Sequence, residues 1–154
     1  MTAEAELLPP PAPQPLSTNE EQTWAMLAHL SIFANLITGF LGPLVALVIY
    51  LIYKDRSRYV AYQSMQAFVF QLIFWVGAGI IAVILWLISS VLLVLLCLGC
   101  LVMPPALFFS LLPIAALVYG VIGAIQCSQG EDFEYWLIGD WVRGIYEPPA
   151  EPAA

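Results

Sequence analysis

The sequence predicts an all-α integral membrane protein, a bundle of four helices set between Pro-rich tails. Three observations carry this. First, 62% of the 154 residues are hydrophobic and 10% are charged, with a mean hydropathy of +0.90. Soluble domains average roughly 45–50% apolar and about 25% charged. A fold this small cannot hide so much apolar surface, so the surplus is expected to face lipid. Second, the apolar residues come in long blocks broken by Gly and Pro. Third, Lys54, Arg56 and Arg58 crowd into one short loop between two such blocks, and only one other basic residue, Arg143, exists.

Residues 1–19 read as a disordered tail. "ELLPPPAPQPLSTNEEQ" is rich in Pro, acids and small polar residues, which cannot bury enough to fold. Ser17, Thr18 and Asn19 are candidate N-caps, and Glu20 and Glu21 suit a first helical turn. Residues 1–23 hold no Lys or Arg and no apolar run, so no cleavable signal peptide is expected. Residues 20–130 form the expected helical transmembrane domain. Its first block, Trp24 to Tyr53, would be about 45 Å long as one helix against a hydrocarbon core of about 30 Å. "GFLGP" sits inside it. Two readings stand: two short helices, 20–38 and 42–54, joined by a tight turn, or one helix kinked at Pro43 that leaves three spans.

The second block, Tyr59 to Val102, reads as one long helix capped by Ser57, its first turns at or beyond the cytosolic interface. Ser89 and Ser90 are expected to bend it by bonding back to the preceding turn. Pro104 and Pro105 break the chain. The last span, Ala106 to Cys127, contains Pro113, expected to kink it or mark its start, and Gly130 suits its C-terminal cap. Residues 131–154 are dense in aromatic rings and read as an interfacial segment with a free tail.

The net charge of −7 argues against nucleic acid, which calls for a basic face. Lys54, Arg56 and Arg58 are expected to fix their loop in the cytosol. Arg143, two spans later, falls on the same side, so both chain ends are expected to be cytosolic. Contact with anionic lipid or a cytosolic partner is the other reading of the loop. On α-helical spacing Tyr59, Gln63, Gln66, Ala67 and Phe70 share one side, with Gln71 on its shoulder; Ala61, Met65, Phe68 and Leu72 share the other. The amides are expected to pack against the first two helices, with His29 and Asn35 as partners, and the apolar side to face lipid. A polar path for a substrate is the alternative. Neutral His29 bonded to an amide is the expected state of the sole histidine, although an ionisable group in a span is a functional candidate by default. Ala116, Gly120 and Ala124, with Gly123 beside them, make a small-residue row that lets helices approach closely, within the chain or between copies.

"CLGC", Cys97 to Cys100, invites a redox or zinc reading. It lies in a Leu/Val run with no His, Lys or Arg nearby, and only Cys127 remains as a further thiol. No nucleophile–base pair, carboxylate pair or phosphate loop appears. The sequence therefore predicts no enzyme, no catalytic or metal residues and no cofactor.

The stretches "TWAMLAHLSIF", "LGPLVALVIYLIYKDRSRYV", "QSMQAFVFQ" and "YGVIGAIQCSQGEDFEYWLIGDWV" resemble, in order and spacing, a bacterial family of small multi-spanning membrane proteins of unknown function. That family is similar to the four-helix subunit of the chloroplast inner-envelope protein-import machinery. The resemblance covers residues 20–145. His29 and Gly42-Pro43 match its pattern; Gln63 stands where members commonly carry histidine, and "LVLLCLGCLVMPPALFF" departs from it. It implies four helices with both ends in the cytosol and no established activity. The expected function is a non-enzymatic, multi-pass assembly or scaffold component of the cytoplasmic membrane. Its expected partners are the lipid bilayer and a second copy or another membrane protein. The alternative is a small channel, transporter or translocation component.

Overall fold

The computed structural model describes residues 14–96 and 98–146, so most of the amino-terminal tail, Cys97 and the final Pro/Ala tail lie outside the described residues. Every regular element among the described residues is helical. Helix α1, Thr18–Leu30, starts at a capping box: Ser17 Oγ accepts the Glu20 N–H, and the Glu20 carboxylate accepts the Ser17 N–H at 2.9 Å. The chain tightens into a 3-10 turn at Ser31–Phe33 and resumes as α2, Ala34–Thr38. Gly39 then takes φ +83°, a left-handed value that ends the helix at low cost only for glycine. Helix α3, Leu41–Tyr53, runs back along α1. Trp24 meets Tyr53 with ring centroids 4.7 Å apart, and Ser31 meets Gly42, so the two arms are antiparallel. The first block is a folded-back pair, not one kinked helix.

Helix α4 covers Arg58–Gln71, capped by Ser57 Oγ on the Val60 N–H. It continues through a π-helical stretch, Leu72–Gly77, into α5, Ala78–Leu96. The expected bend at Ser89-Ser90 is not where the irregularity falls. Ser90 Oγ does bond back to Trp86 O at 2.8 Å, but the backbone stays α-helical there. Ser89 Oγ instead donates to Gly99 O at 2.9 Å and ties down the following turn. The distortion sits at 72–77, where the Ala78 N–H reaches Ile73 O, the five-residue spacing of a π turn.

Helix α6, Met103–Ser128, begins three residues before the expected start because Pro104 and Pro105 fit its first turn, where no N–H partner is needed. It continues through Pro113. Ala116, Gly120, Gly123 and Ala124 are all buried; Gly120 lies against Ile32 and Gly123 against His29 and Phe133. The small-residue row thus brings α6 onto α1 within the chain.

Arg58–Leu95 and Met103–Ser128 are both long and apolar enough to cross a membrane, and only 17% and 22% of their most apolar windows are buried. Their side chains point mostly outward, which separates them from core helices of soluble proteins. At 26 residues α6 is about 39 Å long, enough to cross a hydrocarbon core of about 30 Å.

Two expectations need correction. Ala61, assigned to the lipid side of α4, is buried; Met65 and Phe68 are half-buried and Leu72 is exposed. The reason is that α4 touches α1, α3 and the last helix, Gly139–Tyr146, so its first turns have no free side. The aromatic segment after α6 also divides. Trp136 and Trp141 are exposed, as rings at the headgroup level would be, but Phe133 and Tyr135 enter the core, followed by Ile138 and Val142. Residues 131–138 carry little regular structure, and α7, Gly139–Tyr146, closes the described chain.

Candidate functional site

The interior polar residues gather in two connected places. The lower one joins α1, α4 and the segment after α6. Gln66 Nε2 donates to Phe133 O at 3.0 Å, and the Tyr135 N–H donates to Gln66 Oε1 at 3.0 Å. One side-chain amide thus serves the backbone of an extended segment as a neighbouring strand would. Gln63 Nε2 donates to Phe133 O and to Asp132 Oδ1, each at 3.1 Å. Its Oε1 therefore faces His29 Nε2, 3.1 Å away. An amide oxygen only accepts, so the His29 proton sits on Nε2. His29 Nδ1 is then an acceptor and takes the Tyr135 O–H at 3.0 Å. The ring is neutral and doubly bonded, with Phe133 edge-on at 5.3 Å. Tyr135 stacks on Phe70 at 3.9 Å, and Tyr119 meets Phe70, Phe133 and Tyr135 edge-on.

The upper place holds the first hairpin to α4. Gln71 Nε2 donates to Ser31 Oγ at 3.0 Å, and Asn35 Nδ2 lies 3.5 Å from Gln71 Oε1. Asn35 Oδ1 accepts the Gly42 N–H at 2.7 Å, and Ser31 Oγ shares its proton between Ala28 O and Gly42 O. A Cβ on Gly42 would collide with the Gln71 and Asn35 amides, so a side chain here has to displace them. His29, Asn35, Gln63, Gln66 and Gln71 are all fully or nearly fully buried. Such groups cost several kcal/mol if left unpaired in hydrocarbon, whereas each interhelical bond returns about 0.6–2 kcal/mol.

The expected partners of the glutamine face are the first two helices, through His29 and Asn35. Gln63 meets His29 and Gln71 meets Asn35 there, but Gln66 turns wholly to the carboxyl-terminal segment. Sequence periodicity placed Gln66 on the right side of the helix and could not show which element covers it. Phe133 and Tyr135 were not singled out; their alternation with Asp132, Glu134 and Trp136 is the signal that could have found them.

The basic residues lie at one end of the bundle. Arg56 Nε donates to Gln14 O at 2.9 Å and its guanidinium lies 5.7 Å from the Tyr53 ring. Lys54 and Arg58 are exposed. Ser57 Oγ donates to Glu21 at 2.6 Å and Tyr59 O–H to Glu131 O at 2.8 Å, so the start of α1, the α3–α4 loop and the segment after α6 meet. Arg143 joins them. It bonds Asp132 at 2.8 Å and Glu134 at 3.2 Å and lies over the Tyr62 ring at 4.6 Å. The Asp132 hydrogen bond raises its pKa above the usual guanidinium value, opposed by partial loss of solvent. Burial and a hydrogen bond with Asp140 raise the Glu134 pKa, against the attraction of Arg143.

Cys100 is exposed before α6 and Cys127 is buried near its other end, while Cys97 lies outside the described residues. Among the described residues no group of three His, Cys, Asp or Glu side chains could hold a metal ion.

Among the described residues the protein is all-helical, with two mostly outward-facing helices long and apolar enough to cross a membrane and an interior tied together by amides. The model of the MamF/MmsF family, the magnetosome magnetite crystal formation protein family, matches residues 20–142, and the chain belongs to that family. The match does not speak to the plastid import subunit. No curated protein matches the chain, and no solved structure does.

Proposed function

We propose that the chain is a non-enzymatic, membrane-embedded assembly component that acts in magnetite crystal formation at the magnetosome. Family membership supports the setting. The observation that carries the role is the fate of the interior polar groups. His29, Asn35, Gln63, Gln66 and Gln71 are all bonded to other parts of the same chain. The outer apolar surface and the charged end remain to meet lipid and other proteins. In this reading the chain crosses the membrane four times and self-associates or joins larger membrane machinery. The end that carries Lys54, Arg56, Arg58 and Arg143 faces the cytosol.

The test is replacement of the resident family member in a magnetite-forming bacterium. Expected are a tagged chain that co-isolates with the crystals, crystals of restored size by electron microscopy, and a native mass above that of one chain in mild detergent. Crystals that stay undersized while the chain is abundant would refute the magnetite setting. A single-chain mass without any crosslinked membrane protein would refute the assembly role.

A further inference from the structure

An apolar slot of about 230 Å³ lies where α4 passes into the π-helical stretch, between Phe70, Phe74, Leu112, Ala115, Tyr119 and the backbone turn at Trp136–Ile138. Its walls come from three elements. The small side chain of Ala115 leaves the opening. The stacked Phe70–Tyr135 pair lies on one side, and residues 136–138 lie across the end where the charged residues gather. The two hydroxyls at the slot are already engaged. Tyr135 O–H is spent on His29, and Tyr119 OH accepts the Trp136 N–H at 3.3 Å. The rest of the lining is almost wholly apolar. The volume exceeds the ~150 Å³ of an engineered apolar cavity that stays dry and takes up benzene.

We infer that this slot binds one acyl tail of a membrane phospholipid whose headgroup carries an amine. The inference rests on the chain's residence in a bilayer and not on its role at a mineral. Two features select the occupant. The slot lies between Leu72–Gly77, in which no residue is buried, and the exposed Leu111, Ile114 and Ala115 of α6, so it continues the surface that faces lipid tails. The segment that bounds it also carries the charge at its headgroup end. Asp132, Glu134 and Asp140 outnumber Arg143, whose guanidinium is already held by two of them. On this segment an ammonium group is attracted and a headgroup of net negative charge is repelled; Lys54, Arg56 and Arg58 lie at the same end but on the separate α3–α4 loop.

The experiment is native mass spectrometry of the full chain, released from mixed micelles holding equal amounts of phosphatidylethanolamine and phosphatidylglycerol with identical tails. Expected is one retained phosphatidylethanolamine per chain, favoured about fivefold or more over phosphatidylglycerol. Ala115→Phe, which fills the slot from an exposed position, should cut retention by about fivefold with helicity and melting unchanged. Leu112→Trp fills it from another wall and serves if the first variant does not fold. The inference is overturned if no lipid is retained, if phosphatidylglycerol is held equally, if detergent alone occupies the slot, or if folded filled variants retain lipid as the parent does.

Discussion

Gln66 shows how much one side chain decides here. It gives its N–H to Phe133 O and its oxygen to the Tyr135 N–H, both in the buried interior. Gln66→Leu keeps similar bulk but strands the buried Tyr135 N–H and leaves Phe133 O with Gln63 alone. The expected cost is about 1–3 kcal/mol, read as a lower melting temperature in detergent. Gln71→Leu should cost less: it gives up one 3.0 Å bond to Ser31 Oγ, a hydroxyl that keeps Ala28 O and Gly42 O, and its Ala28 and Asn35 contacts are both at 3.5 Å. Equal losses in the two variants would mean that the Phe133–Tyr135 backbone finds another partner. The chain of donors also fixes a proton. Nitrogen NMR of the sole histidine should show Nε2 protonated and Nδ1 bare. The opposite tautomer would require the Gln63 amide to be reversed.

Between elements, the first hairpin is held by close approach as much as by hydrogen bonds. Gly42→Ala would push a methyl group into the Asn35 and Gln71 amides. We expect a loss of about 1–3 kcal/mol, the usual range for overpacking. The nearby Gly39→Ala should cost less; it meets no atom, and its penalty is only that of a left-handed backbone. A stable Gly42→Ala variant would show that the hairpin can slide along α4. Much of this hairpin was readable in the sequence, because Gly and Pro mark turns through backbone sterics that act locally. The small-residue row was readable for the same kind of reason. The π-helical stretch at Leu72–Gly77 was not, since nothing in "LIFWVG" breaks a helix by itself. Ala61 was misassigned because helical spacing identifies opposite sides, and only the packing of α3 and α7 shows that both are covered.

For the molecule as a whole, orientation and completeness are the testable properties. Single cysteines at Gln14, Asp55 and Gly144, in a background lacking Cys97, Cys100 and Cys127, should all resist an impermeant thiol reagent applied outside intact cells. Labelling at Gln14 alone would mean that the first block crosses once. Labelling at Asp55 would reverse the orientation. The background itself should fold, because Cys127 behaves as a small buried hydrophobe and Cys100 is exposed. Truncation after Gly130 is different. It removes Phe133, Tyr135, Ile138 and Val142 from the core and opens Gln63 and Gln66. The shortened chain should lose its cooperative melting and aggregate in detergent. A truncated chain that melts like the parent would show that the segment is an accessory.

The dependence of the interior on residues 133–135 also sets an order in time. A ribosome delivers the amino end first, so His29, Gln63 and Gln66 reach the membrane well before the segment that satisfies them is made. During that interval the half-built protein carries Gln66 without its backbone partners and a His29 ring without its Tyr135 bond. Only the arrival of the carboxyl-terminal segment hides them. A chain interrupted in synthesis, or clipped near Glu131, would keep that opening and stay marked for proteases that remove incomplete membrane proteins. Residues 133–135 thus act as a receipt that the spans before them have been made.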